Sequence, residues 1–128
     1  MLMTSRRPKP RSGGFELWSW FFMRVSGVVL LALVLIHLAI VHVFTPIQNV
    51  DFQFVANRWA GTFGPLWRWF DLIMLGLGLG HGLNGARVVL DDYVHSPAWR
   101  TAVAILLWSA VVLFLVVGSQ VIVSFAAK

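Results

Sequence analysis

His81, Asp92 and Tyr93 are the residues whose types and spacing could do chemistry in this chain. A neutral imidazole offers a metal a nitrogen lone pair or a neighbour a hydrogen bond. A carboxylate accepts and relays protons, and a phenol donates to a carbonyl oxygen. All three lie in one segment, Leu79-Gly80-His81-Gly82-Leu83-Asn84-Gly85-Ala86-Arg87-Val88-Val89-Leu90-Asp91-Asp92-Tyr93, the second half of an apolar stretch. On insertion scales Asp, Lys or Arg at a helix centre in lipid costs roughly 2.5–3.5 kcal/mol, so an ionisable residue there marks a function by default.

An α-helix turns 100° and rises ~1.5 Å per residue. Asp92, eleven residues after His81, therefore returns to within about 20° of the same face, roughly 16 Å nearer the membrane surface. Gly78 and Gly85, at i−3 and i+4, flank His81 on that face, where larger side chains would block a flat macrocycle. This pattern points to a haem with His81 as axial ligand of its iron. The competing account is a hydrogen bond from His81 to a neighbouring helix. Tyr93 and Asp92 suit a quinone, the phenol donating to a quinone carbonyl and the carboxylate orienting it or relaying protons. Against that stands ordinary interfacial anchoring, for which tyrosine is enriched. Arg24, at a similar depth on the first span, would pair with haem propionates or snorkel to lipid phosphate.

The elements that position these residues must be membrane helices. The chain has 128 residues, 59% hydrophobic and 12% charged, with a mean hydropathy of +0.80; soluble domains carry about 25% charge. No Asp, Glu, Lys or Arg occurs between Arg24 and Asp51 or between Arg100 and Lys128, and each stretch exceeds the ~20 residues that cross a bilayer. The charge-free run between Asp71 and Arg87 is shorter, but Trp67, Trp69 and Phe70 extend it on one side and Val88 to Leu90 on the other. The expected fold is all-α, with three transmembrane helices at about 23–44, 66–91 and 97–126. Phe15 to Phe22 forms an interfacial entry, and residues 1–14 form a basic tail.

The net charge of +5 does not point to nucleic acid, because Arg6, Arg7, Lys9 and Arg11 are gathered ahead of the first span. Under the positive-inside rule they keep the N-terminus in the cytoplasm, which places Asp92 and Tyr93 at the cytoplasmic face. Pro8 and Pro10 follow the arginine pair and no small-residue cleavage site ends the apolar stretch, which favours a retained anchor over an export signal.

Without cysteine the chain ligates no iron–sulfur cluster and forms no disulfide. Thr45-Pro46 ends the first span, Asp51 to Trp59 reads as a short interfacial helix, and Gly64-Pro65 precedes the second span. Ser96 is expected to cap the third span, with Pro97 at its first position. His37 reads as a helix–helix hydrogen-bonding residue, His42 as an outer-interface residue and His95 as a solvated loop residue. Spans and short loops leave no room for a soluble catalytic domain.

Three spans, a basic N-terminus, Arg24 opening the first span and His81 followed by Asp92-Tyr93 closely resemble the small membrane-anchor subunit of succinate:quinone oxidoreductase, complex II. The resemblance runs from about Phe15 to Ala126, and its most specific element is the His-x10-Asp-Tyr arrangement. It implies that His81 is an axial ligand of haem b, that Arg24 stands near the haem propionates, and that Tyr93 hydrogen-bonds the quinone beside Asp92. Its implied partners are a second anchor subunit giving the other axial histidine, an iron–sulfur subunit, a flavoprotein subunit and membrane lipid, with no nucleic acid. The implied location is the bacterial cytoplasmic membrane, and the quinone is ubiquinone or menaquinone. Arg24-Val25-Ser26-Gly27 also resembles the larger anchor subunit, where a quinone-contacting serine stands four residues before the arginine; here that position is Trp20. Ser26 is a further residue to place near quinone or haem. An anchor of quinol:fumarate reductase and a non-redox membrane scaffold or assembly protein are the alternatives; many fumarate reductase anchors of this size lack haem.

Overall fold

The computed structural model describes residues 14–125; residues 1–13 of the expected 1–14 basic tail and Ala126 at the end of the expected third span lie outside the described part. Helix α1 (Phe15–Leu38) continues into a π-helical segment (Ala39–Val43), followed by a 3-10 turn (Ile47–Asn49), α2 (Phe52–Ala60), α3 (Gly64–Tyr93) and α4 (Pro97–Ser124). Three helical stretches, Phe15–Val43, Gly64–Tyr93 and Pro97–Ser124, are long and apolar enough to cross a membrane, so the all-α, three-span expectation holds. Each is longer than the ~20 residues a bilayer core requires.

The boundaries differ from expectation in two informative places. Phe15 to Phe22 is continuous with the first span, since nothing in Leu17-Trp18-Ser19-Trp20 interrupts a helix. The second span runs on to Tyr93, so Asp92 and Tyr93 sit in its last turn. The π segment closes on Phe44, whose amide bonds Ala39 O at 2.9 Å, just before Thr45-Pro46 stops the helix.

Helix α2 starts where Asp51 Oδ1 accepts the Phe54 amide at 2.8 Å, a side-chain N-cap worth about 1 kcal/mol. It turns Ala56 and Trp59 inward onto α3. The turn into α3 is tight: a Cβ on Gly64 would collide with the Trp59 carbonyl, so only glycine fits. Pro65 then occupies the first turn of α3, where its missing amide costs nothing. Ser96 takes the N-cap position of α4, but its side chain makes no capping bond there; Pro97 at the first position starts the helix instead.

Helix α3 is the middle element, packed against α1 on one side and α4 on another. Gly118 of α4 allows the closest approach, since a Cβ there would press 2.7 Å from Leu75 Cδ2. Few side chains are buried within the single chain: Ala56, Trp59, Leu90 and Ile122 among apolar residues, Ser26 and Asp71 among polar ones. In lipid, water does not drive helices together, so small residues and internal polar pairs hold them.

The start of α3 and the end of α4 are tied by Arg68, which donates from Nη1 to Val123 O at 2.7 Å and from Nη2 to Phe125 O at 3.1 Å. These carbonyls lie at the C-terminus of α4, where no further turn supplies amide donors. Phe125 packs 4.6 Å from Phe52 and 5.4 Å from Trp59, ring centre to ring centre.

Candidate functional site

Helices α1 and α3 run antiparallel and meet through a ladder of polar rungs. From the Asp92-Tyr93 end outward these are Glu16 with Arg87, Ser19 with Asn84, Ser26 with His81, and His37 with Asp71. Residue numbers rise along α1 as they fall along α3, as the antiparallel arrangement requires.

His81 occupies the third rung. Its Nδ1 lies 2.9 Å from Ser26 Oγ, and Ser26 is only 2% exposed. The ring edge passes over Gly27, where an added Cβ would touch His81 Cε1 at 3.4 Å. Small residues at 26 and 27 let the α1 backbone close on the imidazole and hold its plane. Among the described residues Nε2 has no hydrogen bond, yet it is not among the buried polar atoms left without a partner. The imidazole is thus tethered inward by one nitrogen and presents the other at the surface of the chain.

The glycines beside His81 serve a different purpose from the one their spacing suggests. A Cβ on Gly78 would meet Leu30 Cδ2 at 4.0 Å, and one on Gly85 would meet Met23 Cε at 3.7 Å. Both face α1, so they make room for a neighbouring helix and not for a macrocycle. The open glycines are Gly76 and Gly82, whose added Cβ atoms would meet nothing within 4 Å. Periodicity placed Gly78 and Gly85 on the His81 face, but could not tell that α1 fills it.

At the other end of α3, Asp92 and Tyr93 are exposed, Tyr93 by 78%. Their neighbour Asp91 takes the cations: Arg100 Nε at 3.6 Å and Arg87 Nη1 at 3.9 Å. Among the described residues no hydrogen bond or ion pair engages the Asp92 carboxylate or the Tyr93 phenol, so both are free to meet a ligand or partner. The intact helix carries the His81 to Asp92 spacing of about 20° and ~16 Å.

Arg24 is not brought to His81. It is exposed, with its guanidinium 4.4 Å above the Trp20 ring, while Met23, Ser26 and Gly27 of the same turns face α3. Within this chain its partner is an aromatic face, an arrangement worth about 0.5–1 kcal/mol at an exposed position.

The fourth rung was not legible as a site. Asp71 delimits the charge-free run in the sequence, but the structure buries it to 7% exposure. Its Oδ2 accepts Arg58 Nη2 and Trp59 Nε1, both at 2.8 Å. Its Oδ1 stands 3.9 Å from His37 Nδ1, and both atoms are buried without a hydrogen bond. The helix–helix hydrogen bond expected of His37 is thus not made; the ring stands near Asp71 without bonding it. A carboxylate seven residues into a span, with Arg58-Trp59 in the preceding helix, was the available signal. His42 is exposed near the outer end of the first span, as is His95 in the loop after α3.

Among the described residues no three or more His, Cys, Asp or Glu side chains gather to hold a metal ion. One outward imidazole nitrogen does not make a site for a free cation. A cofactor that brings most of its own donor atoms would ask only a single nitrogen of the chain.

A search of curated proteins returns no match. The family profile described as succinate dehydrogenase/fumarate reductase transmembrane subunit matches residues 4–117, which takes in α1, α2, α3 and most of α4. A three-span chain with an intramembrane histidine facing outward is therefore a member of the succinate dehydrogenase/fumarate reductase transmembrane subunit family.

Proposed function

We propose that this chain is the haem b-bearing anchor of a succinate dehydrogenase, holding one side of the haem and part of the site where quinone is reduced. The observation that carries this reading is the one-sided tether of His81. Nδ1 is bonded to buried Ser26, and Nε2 is unpartnered at the chain surface.

Among the described residues the chain offers one such histidine, so any further protein ligand would come from a second anchor subunit. Bound haem b supplies one-electron chemistry. The residues of this chain hold and orient: Ser26 and Gly27 fix the imidazole, and the apolar flanks of α3 keep water away from it. At the cytoplasmic edge the Tyr93 phenol donates a hydrogen bond to a quinone carbonyl, ubiquinone or menaquinone. Asp92 passes protons from bulk water toward that oxygen. Succinate is oxidised by a flavoprotein, and an iron–sulfur subunit docks at this membrane face. The basic residues Arg6, Arg7, Lys9 and Arg11 favour a cytoplasmic N-terminus in a bacterial inner membrane.

The test is the optical spectrum of the purified complex. His81→Ala is expected to abolish or convert the low-spin haem b signal in the reduced-minus-oxidised spectrum. An unchanged spectrum overturns the ligand assignment. A wild-type complex with no Soret band, and no flavoprotein copurifying, would favour a scaffold role instead.

A further inference from the structure

We infer that Ser26 is the positioning residue of the histidine ligand: its hydroxyl holds His81 Nδ1, fixes which imidazole nitrogen faces outward, and tunes its strength as a haem ligand. The inference rests on the haem reading of His81 and extends it to a residue on a different helix.

Three observations carry it. The contact is short, 2.9 Å between Ser26 Oγ and His81 Nδ1. It is sealed, since Ser26 is 2% exposed, so water cannot replace the hydroxyl at Nδ1. The space beside the ring is also narrow, since even a Cβ added at Gly27 would meet Cε1 at 3.4 Å. Neighbouring polar groups are already committed: Asn84 receives Ser19 Oγ at 2.8 Å, and His37 approaches Asp71 one rung further out. Among the described residues, Ser26 is the hydrogen-bonding partner of Nδ1.

A hydroxyl suits this task because it both donates and accepts. With nothing on Nε2, the serine proton points to the Nδ1 lone pair and Nε2 carries the ring hydrogen. A metal at Nε2 would require that hydrogen to sit on Nδ1, where the serine oxygen would accept it. The ring remains neutral throughout, one proton changes place and the bond reverses direction. A carboxylate partner would instead bring a buried charge into the span. Partners of this kind orient the ring and raise ligand basicity, and their loss typically weakens a metal site about 10- to 100-fold.

The test compares complexes carrying Ser26→Ala, Ser26→Thr and Ser26→Val. Threonine and valine have the same shape, so they differ only in the hydroxyl. Haem content, low-spin electron paramagnetic resonance and potentiometric titration of the haem are read in each. The expected result is that Ser26→Thr keeps the wild-type midpoint and haem content. Ser26→Val and Ser26→Ala raise the midpoint, because a less basic imidazole stabilises ferric iron less, and they lose haem about tenfold more readily. Equal behaviour of the threonine and valine complexes, or an unchanged midpoint in Ser26→Ala, overturns the inference. His81→Ala run in parallel separates the two levels: if it retains the haem signal, the ligand reading fails and the Ser26 inference with it. If it loses the signal while the Ser26 series is flat, only the inference fails.

Discussion

Arg58 of α2 and Asp71 of α3 form an ion pair of 2.8 Å in which both side chains are about nine-tenths buried, at 11% and 9% exposure. It joins the short outer helix to the central span, and Trp59 Nε1 donates to the same carboxylate oxygen. Removing one partner strands the other charge, which costs far more than the pair contributes net.

Asp71→Ala is accordingly expected to destabilise the chain by about 3–5 kcal/mol. The readout is the thermal midpoint of the detergent-solubilised complex, together with a red shift of Trp59 emission as α2 loosens. Combining Asp71→Leu with Arg58→Met should recover much of the loss, because no buried charge is then left alone. A double variant as unstable as the single one would show that packing, not charge, dominates at this rung.

Tyr93→Phe removes a phenol that stands 78% exposed at the end of α3 without touching the helix. Loss of one neutral hydrogen bond, about 0.5–1.5 kcal/mol, should lower quinone reduction about two- to tenfold. Succinate oxidation by an artificial dye should persist. Parallel loss of both activities would mean failed assembly, and no loss of either would remove Tyr93 from the quinone site.

Gly64→Ala places a methyl against the Trp59 carbonyl. The turn between α2 and α3 must open, and overpacking of this kind costs about 1–3 kcal/mol. A lowered thermal midpoint with a normal haem spectrum is expected, since the turn lies at the opposite end of α3 from Asp92 and Tyr93.

Arg68→Met keeps the aliphatic length but removes two donors from the carbonyls of Val123 and Phe125. Fraying of the last turn of α4 is expected, read as faster amide hydrogen exchange confined to about residues 120–125. Arg68→Lys should restore only part of the protection, because an ammonium cannot reproduce the planar fork. Uniform exchange changes along α4 would argue against a local cap.

Much of the helical architecture was legible because lipid imposes simple rules. A charge-free run of sufficient length has few alternatives to a spanning helix, and Thr45-Pro46, Asp51, Gly64-Pro65 and Pro97 mark breaks and starts by their own backbone chemistry. The site was legible in part. His81 announced itself as an ionisable group in a span, while the glycines beside it suggested the wrong neighbour. Gly78 and Gly85 make room equally well for a cofactor or a helix, and nothing in their spacing distinguishes Leu30 and Met23 from a macrocycle.

By itself, then, the sequence determined three membrane-spanning helices, a short interfacial helix, and the distance along α3 between His81 and the Asp92-Tyr93 pair, since these depend on hydropathy and helical period alone. The tertiary structure decided the pairings: Ser26 with His81, Asp71 with Arg58, Trp59 and His37, Arg68 with the end of α4, and Arg24 with Trp20. The reason is that periodicity defines the face on which a side chain lies, whereas its partner depends on how two helices slide and turn against each other. That register is set by many weak contacts between residues distant in the chain, and no single local motif encodes it.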